Sequence, residues 1–329
     1  MPKVVVFDEV GGPEVLRVVD EPIAEPGAGE VRVRIEAFAV NPLDQMVRAG
    51  QSPRPIQLPH ARLGAEGTGV VDALGAGVTG PAVGDPVILA AIPDFEARGA
   101  YAEYTTLAAD RVVPRPDGMD PVDAAALWVA YFTAYGALVE RSGMRPGDHV
   151  LITAASGGVG RAAIQIANQI GAVPLAVTRS AAKEPDLLAA GAAAVIATDR
   201  EDVGEATRRH TGGTGADIVL DAVMGPGLAE LSLAAKLGGT LATIGWLDPR
   251  PASFPANPSL TIHRFMGFAD MVNPVITRRV AAFLAAGVRT GVLRPTVDRV
   301  FGLDDIVEAH RYLEKGTATG KIVVRVQPT

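Results

Sequence analysis

The chain has 329 residues, a length that favours two domains, and 48% of them are apolar, enough for sizeable cores. It has no cysteine, which excludes disulfides, thiolate catalysis and Cys-type zinc sites, and its five histidines lack the close spacing of metal ligands, so no metal site is expected. The formal charge of −7 disfavours a nucleic-acid surface, and no uninterrupted apolar run reaches the roughly 18 residues of a membrane span.

Residues 1–120 are predicted to form a β-rich, barrel-like domain. The run 4–7 is interpreted as a strand rather than a signal peptide, because Asp8 and Glu9 end it early. With the absence of cysteine, this favours a cytoplasmic location. Strict apolar–polar alternation over 30–36 predicts a strand with one buried face. Strands are predicted at 4–7, 16–19, 31–39, 64–74 and 83–89, separated by turns that contain glycine and proline.

The pattern changes near Pro121, where Asp120 is a candidate N-cap and Pro121 takes the first helical position. From there strands and helices alternate, which predicts an α/β fold with a doubly wound parallel (Rossmann) sheet. The predicted strands are 149–153, 173–178, 194–196, 218–222, 240–244 and 261–265. The predicted helices are 130–139, 161–170, 181–190, 203–210, 228–237 and 275–286.

The C-terminal segment departs from this alternation. It reads as a strand at 295–301, an amphipathic helix at 303–315 and a final strand at 320–326 that we expect to return to the N-terminal domain. The predicted domains are therefore 1–120 completed by 295–329, and a nucleotide-binding domain at 121–294.

The small-residue stretch 154–160 separates the first strand of the second domain from its first helix. It has the form Ala155-x-Gly157-x-x-Gly160, a dinucleotide-binding fingerprint without its first glycine. Small residues here let the backbone approach a pyrophosphate, which helix N–H groups then bind. The candidate phosphate-binding residues are Ser156, Gly157, Gly158 and Val159. A strand–helix turn without a ligand is the alternative interpretation.

The end of the second strand of this domain selects between nucleotide cofactors. An acidic residue there binds the ribose 2′-hydroxyl of NAD, but none stands at this position. The segment instead offers Thr178, Arg179, Ser180 and Lys183, which can bind a 2′-phosphate, and this favours NADPH. The alternative is a solvated basic turn.

The ends of the next two strands are expected to line the same crevice, because ligands bind outside the carboxyl ends of parallel strands. This makes Asp221, Ile244 and Gly245 candidate cofactor residues. Asp221 can equally be a helix cap.

The whole chain resembles the zinc-free quinone oxidoreductase branch of the medium-chain dehydrogenase/reductase superfamily. The resemblance is carried by the order and spacing of 41–44 (NPLD), 64–71 (GAEGTGVV), 83–87 (VGDPV), 99–104 (GAYAEY), 133–135 (TAY), 145–150 (RPGDHV), 154–160 and 319–323 (TGKIV). It implies a GroES-like catalytic domain split around a Rossmann domain, with the active site in the cleft.

In zinc-dependent relatives two cysteines and a histidine hold the catalytic metal. By this resemblance, the corresponding positions of this chain hold Asn41, Ala65 and Val129. None of these residues is a usual zinc ligand, and Glu66 alone cannot hold the metal. Without a Lewis acid, reduction of a simple ketone is difficult, whereas quinones and α,β-unsaturated carbonyls delocalise the developing charge themselves.

The resemblance also implies four further site residues. Asn41 is expected beside the nicotinamide and its ribose and in contact with the substrate, as the candidate catalytic residue, and Thr133, Phe268 and Lys321 near the cofactor. Each has a structural alternative: a turn residue, a helix threonine, a core aromatic and a solvated strand charge, respectively. Met46 stands where this branch often has a tyrosine, so the proton donor is open. The Pro-rich segment 50–60 is expected to shape the cleft mouth, and 261–271 a homodimer interface.

Together these features predict an NADPH-dependent, zinc-independent oxidoreductase that reduces a small-molecule quinone or enone. The alternatives are an enoyl-thioester reductase and a non-catalytic NADPH-binding sensor, structural or RNA-binding protein. The acidic charge disfavours the last of these.

Overall fold

The computed structural model describes residues 1–51 and 56–326. The strands are β1 (Lys3–Val6), β2 (Arg17–Asp20), β3 (Glu30–Val40), β4 (Gly67–Leu74), β5 (Pro86–Leu89), β6 (Tyr104–Ala108), β7 (Val112–Pro114), β8 (His149–Ile152), β9 (Val173–Thr178), β10 (Ala194–Ala197), β11 (Ala216–Asp221), β12 (Ala235–Thr243), β13 (Thr261–Arg264), β14 (Val297–Gly302) and β15 (Lys321–Arg325).

The α-helices are α1 (Pro42–Arg48), α2 (Phe95–Arg98), α3 (Pro121–Ala125), α4 (Trp128–Tyr135), α5 (Gly158–Ile170), α6 (Glu184–Ala189), α7 (Val203–His210), α8 (Leu228–Ser232), α9 (Phe268–Met271), α10 (Pro274–Arg289) and α11 (Ile306–Glu314). Residues 52–55, part of the Pro-rich segment expected to shape the cleft mouth, lie outside the described residues. Within the described part of the chain, no helix combines the length and apolarity needed to cross a membrane.

The chain forms two compact units. The first contains 1–129, 270–285 and 294–329, and the second contains 130–269 and 286–293. These units differ from the predicted domains at 121–129, 270–285 and 294, and the domain boundaries stay a prediction.

The second unit is built on a six-stranded parallel sheet with the order β10-β9-β8-β11-β12-β13. Its first three strands lie in reverse sequence order and its last three in sequence order, which is the Rossmann arrangement. The predicted α/β class is therefore confirmed. The central strands are buried on both faces, as is typical of parallel sheets; Val150, Leu151 and Ile152 of β8, for example, have no exposed surface.

Several helix bounds differ from the prediction, and two of these differences have a clear physical reason. Helix α5 begins at Gly158, three residues before the predicted start, because Gly157 already has the extended backbone of an N-cap. The helix predicted over 228–237 ends at Ser232, and β12 begins at Ala235. Pairing with β11 prevails there over the helix propensity of the alanine- and leucine-rich sequence, since Ala235 pairs in parallel with Ala216.

The first unit contains a sheet with the order β14-β15-β3-β4-β5-β7, to which β6 adds by pairing with β3, and a separate β1–β2 hairpin. Strand β3 confirms the predicted alternation, with Val31, Val33 and Ile35 fully buried. The final strand, β15, pairs antiparallel with β3 and so returns to the N-terminal part of the chain, as predicted. At the start of α3, the Asp120 carboxylate accepts the N–H of Val122 at 2.8 Å, which confirms the predicted N-cap.

Candidate functional site

The turn between β8 and α5 is folded as a nucleotide-binding turn requires. A Cβ on Gly160 would lie 2.5 Å from the Cα of Ala155 and 2.7 Å from the carbonyl oxygen of Ala154, so only glycine allows α5 to start this close to the strand. Ala154 itself has a positive φ of 47°, and its carbonyl accepts the N–H of Gly157 at 3.0 Å. The last glycine of the fingerprint is thus required by the protein's own packing.

Gly157 differs from Gly160, because the protein itself does not require it to be glycine. Its φ of −77° suits any residue, and a Cβ would meet only the Ala154 carbonyl oxygen, at 3.4 Å. Ser156, Gly157, Gly158 and Val159 are all partly exposed, whereas Ala155 and Gly160 are buried. Since the first N–H groups of a helix have no intrahelical acceptor, this exposed stretch can bind an anion.

The structure brings two predicted cofactor residues together at this turn. The Nζ of Lys183 donates to Oγ of Ser156 at 3.1 Å, although the two belong to different strand–helix connections. Strand β9 ends at Thr178, which is buried. The next residue, Arg179, is exposed, and the hydroxyl of Ser180 accepts the N–H of Ala182 at 3.3 Å. A lysine ammonium therefore lies beside the anion-binding face of the turn.

Arg161 is a residue that sequence reasoning missed. Its side chain is almost fully buried, its Nε donates to the carbonyl oxygen of Ser156 at 3.2 Å, and its guanidinium pairs with Asp186 of α6. Arg161 thereby links the turn to α6. An arginine in the first turn of a helix is ordinary helix composition, so the sequence carries no signal that would identify the role of Arg161.

The side chain of Asp221 holds the connection that follows β11. It is fully buried and accepts hydrogen bonds from the Thr153 hydroxyl at 2.7 Å and from the N–H groups of Val223 and Met224 at 3.1 and 2.8 Å. The structure gives this carboxylate a structural role, and its predicted contact with a cofactor stays a prediction. It caps a turn rather than a helix, since the N-cap of α8 is Gly227.

Ile244 and Gly245 lie where predicted, at the carboxyl end of β12 beside that of β11. The Ile244 N–H donates to the carbonyl oxygen of Asp221 at 2.8 Å, and both residues are partly exposed. A Cβ on Gly245 would lie 3.1 Å from the Ala222 carbonyl oxygen, so glycine lets the two strand ends approach. Their contact with a cofactor stays a prediction.

Thr133 and Phe268 are both partly exposed, the first within α4 and the second at the start of α9. The segment preceding Phe268 packs where α4 ends, because a Cβ on Gly136, the residue after Tyr135, would lie 2.4 Å from the ring of Phe265. The structure therefore explains how this segment is anchored, and the predicted roles of Thr133 and Phe268 stay predictions.

In the first unit, Asn41 is the N-cap residue of α1 and the centre of a buried polar cluster. Its Nδ2 donates to Oε1 of Glu66 at 3.0 Å and to the Ala39 carbonyl oxygen at 3.3 Å. Its Oδ1 accepts from Nζ of Lys321, which also donates to Oε1 of Glu66 at 2.6 Å. We call Asn41, Glu66 and Lys321 the amide–ammonium cluster.

The sequence allows two interpretations of Lys321, a residue near the cofactor and a solvated strand charge, and the structure excludes the second. A solvated strand charge is wrong, because the side chain is only 8% exposed and pairs with Glu66, which is fully buried. Sequence reasoning missed the role of Glu66, which also accepts the backbone N–H of Val129 at 2.8 Å through Oε2. The Glu66 carboxylate thus contacts Asn41 and Val129, which stand at two of the three positions expected to correspond to the zinc ligands of zinc-dependent relatives.

Further titratable groups lie close to this cluster. Asp44 is fully buried, and loss of hydration raises the pKa of its carboxyl from 3.8 to about 6, although it accepts the N–H groups of Asn41 at 2.8 Å and Gly64 at 3.0 Å. Tyr101 is also fully buried, which raises the pKa of its hydroxyl well above 10. Within residues 1–51 and 56–326, no three or more His, Asp or Glu side chains are grouped to hold a metal ion.

Comparison with known proteins places both units in one family. Residues 27–117 match the alcohol dehydrogenase GroES-like domain, and residues 190–324 match the family described as zinc-binding dehydrogenase. A quinone oxidoreductase of Pseudomonas aeruginosa is 33% identical over 337 residues, covering 98% of this chain and 99% of the relative.

Two solved structures show the same similarity. The Escherichia coli quinone oxidoreductase complexed with NADPH is 27% identical, with a TM-score of 0.90 over 98% of this chain and 99% of that one. The ER cyclopropanase CurF of the curacin A biosynthetic pathway is also 27% identical, with a TM-score of 0.88 over 99% of each chain. The full-length match to the Pseudomonas relative exceeds what a shared fold alone produces, and the chain belongs to the zinc-independent quinone oxidoreductase branch of the medium-chain dehydrogenase/reductase superfamily.

Proposed function

We propose that this oxidoreductase uses NADPH to reduce a quinone or an activated C=C bond. The observation that carries the proposal is the contact between Lys183 and Ser156, which sets a cation beside the nucleotide-binding turn. The NADPH named for the E. coli relative supports the same cofactor.

The residues of the turn fit a dinucleotide. Gly157 leaves the backbone open, and the N–H groups of Gly158 and Val159 would bind the pyrophosphate at the positive end of α5. Lys183 and the exposed Arg179 would pair with the 2′-phosphate, and the Ser180 hydroxyl would add a hydrogen bond. When bound, NADPH supplies a hydride, and the chain's task is to orient the acceptor and exclude water.

A quinone or enone suits the polar groups available in the first unit. Those acceptors need hydrogen bonds to an oxygen that gains charge rather than a Lewis acid, and the Lys321 ammonium is a donor of that kind. Asn41 would contact the nicotinamide ribose through Oδ1. The final proton would come from water, because the buried Tyr101 hydroxyl is held by His310 at 3.2 Å.

The proposal is tested by measuring NADPH oxidation against a panel of quinones, enones and enoyl thioesters. We expect turnover with quinones or enones, and turnover with none of the panel would contradict the proposal. Arg179→Asp tests the phosphate assignment, since it should lower the NADPH preference over NADH by about 10- to 100-fold, the range of one or two charged hydrogen bonds. An unchanged preference would refute that assignment.

An enoyl-thioester reductase is the second candidate, and the similarity to CurF favours keeping it. The same screen separates the two, because a thioester reductase would turn over acyl-CoA enones faster than small enones. A non-catalytic NADPH-binding role would show tight cofactor binding without turnover of any acceptor.

We also propose a homodimer formed through β13. Strand β13 is one of the two edge strands of the parallel sheet, and Thr261, Ile262 and Arg264 on it are exposed. An open strand edge with an exposed apolar side chain, Ile262, is suited to pairing with a second copy. Light scattering after size-exclusion chromatography should give twice the chain mass, and a monomer at all concentrations would exclude the interface.

A further inference from the structure

The hydrogen-bond donors of the amide–ammonium cluster can be assigned without ambiguity. Lys321 can only donate, and the Glu66 carboxylate and the Ala39 carbonyl can only accept. The Asn41 amide must therefore direct Oδ1 toward Lys321 and its two N–H bonds toward Glu66 and Ala39, as observed. Asn41 has no donor left for a ligand and can only accept.

Lys321 has a donor to spare. Its ammonium carries three N–H bonds, and within the described part of the chain two of them are directed at Asn41 and Glu66. Its side chain keeps 8% of its surface exposed while that of Glu66 keeps none. Of the three side chains, Lys321 is thus the one that can offer a hydrogen bond to a bound oxygen atom.

Glu66 keeps this ammonium in place. It is fully buried and contacts the Lys321 ammonium, the Asn41 amide and the Val129 N–H. Removing it would leave a buried cation without its counter-charge and the Asn41 amide without its acceptor. Glu66 therefore acts through Lys321 and Asn41, as a positioning residue.

We propose that the third N–H of Lys321 donates a hydrogen bond to the acceptor oxygen that becomes negative during reduction, and that Glu66 positions Lys321 for this. The inference rests on the proposed function. When a hydride adds to the electrophilic carbon of an enone, the C=C electron pair moves toward the carbonyl oxygen. The enolate oxygen then carries the charge that Lys321 stabilises, and a proton from water completes the reduction.

Kinetics provide the first test. Lys321→Met should lower kcat about 100-fold or more with a small change in KM, as expected for removal of one donor to a developing oxyanion. If the single variant does not fold, Glu66→Gln/Lys321→Met removes both buried charges and should fold while showing the same loss. Lys315→Met, at an exposed lysine on the same C-terminal segment, is the control. An unchanged kcat in folded Lys321 variants would overturn the proposal while wild-type turnover still supports the proposed function.

A ligand-binding readout tests the same hydrogen bond without turnover. 4-Nitrophenol is a stable mimic of an enol, and its absorbance distinguishes the phenol from the phenolate. In the wild type, bound probe should ionise at a pH at least one unit lower than in the Glu66→Gln/Lys321→Met variant. NADPH affinity, measured by fluorescence titration, should fall by a smaller factor than kcat in this variant. Loss of NADPH affinity with an unchanged probe spectrum would assign the Lys321 donor to the cofactor and overturn the proposal.

Discussion

The Nζ of Lys183 lies 3.1 Å from Oγ of Ser156, across the gap between the turn that opens α5 and the segment that follows β9. In a dinucleotide site the first of these regions faces the pyrophosphate and the second faces the adenosine ribose. The contact restricts the lysine side chain to a position beside the turn, which lowers the entropy lost when a phosphate binds there.

Replacing Lys183 by methionine should weaken NADPH binding about 10- to 100-fold, since hydrogen bonds to a charged group contribute about 1.5–3 kcal/mol. Binding of NADH, which lacks the 2′-phosphate, should change less than threefold and serves as the matched control. Fluorescence titration measures both constants. Equal losses for the two nucleotides would place Lys183 on the pyrophosphate rather than on the 2′-phosphate.

The two glycines of the turn should respond differently to alanine. In Gly160→Ala the new Cβ meets backbone atoms of Ala155 at 2.5–2.6 Å, so the start of α5 must move, and we expect a loss of about 1–3 kcal/mol of unfolding free energy. In Gly157→Ala the Cβ has space, and stability should change by less than about 1 kcal/mol. NADPH affinity should nevertheless fall, because that Cβ occupies the open side of the turn.

Urea unfolding and nucleotide titration on both variants check this contrast. A Gly157→Ala protein that binds NADPH like the wild type would show that the pyrophosphate does not approach this residue.

The parallel sheet could be predicted from the sequence because its central strands are buried on both faces and read as continuous apolar runs. The prediction of a helix over 228–237 is wrong beyond Ser232, because the local sequence pattern and the tertiary pairing disagree there. Its alanine and leucine residues favour a helix, but the strand from Ala235 is stabilised by pairing with β11, and Lys236 forms an ion pair with Asp217 on that strand. Such partners are distant in sequence, and local propensity cannot reveal them.

The same distinction holds for the candidate site. Ser156 and Lys183 could be found because a nucleotide-binding turn has a local pattern and a fixed chain order. The role of Glu66 could not, because it depends on Lys321 and Asn41, which are 280 positions apart. A buried carboxylate, an amide and an ammonium have no characteristic spacing when the sheet pairing of β15 with β3 brings them together.

The buried ion pair between Glu66 and Lys321 should show strong coupling in a double-mutant cycle. Glu66→Gln leaves the ammonium buried without a counter-charge and should cost about 3–5 kcal/mol of unfolding free energy, as should Lys321→Met. The double variant buries no net charge, and its loss should be clearly smaller than the sum of the two. Urea denaturation of the four proteins measures the coupling, and additive losses would mean that the pair is solvated.

Two buried groups in the first unit should make opposite contributions to stability at acidic pH. Burial, assisted by the nearby charge of Arg48, lowers the pKa of His310 from 6.5 to about 3. Between these values the unfolded chain binds a proton that the folded protein excludes, so His310 stabilises the fold above pH 6.5 and this contribution is lost as the pH falls. Asp44 has a pKa raised from 3.8 to about 6, so between those values the folded protein keeps a proton that the unfolded chain releases. Its contribution therefore falls as the pH rises.

Between about pH 4 and 6 the two groups change the unfolding free energy in opposite directions. Substituting each residue separately measures its own contribution. His310→Gln keeps a partner for the Tyr101 hydroxyl and removes the titration. Relative to the wild type, this variant should gain about 3 kcal/mol of unfolding free energy when the pH is lowered from 6.5 to 4, since each pKa unit corresponds to about 1.4 kcal/mol. Asp44→Asn should show the reverse trend and lose stability relative to the wild type over the same interval. His210→Gln, at an exposed histidine, should follow the wild type at every pH. Urea unfolding at several pH values measures all four proteins, and a His310→Gln curve parallel to the wild type would mean that His310 is hydrated and titrates normally in the folded state.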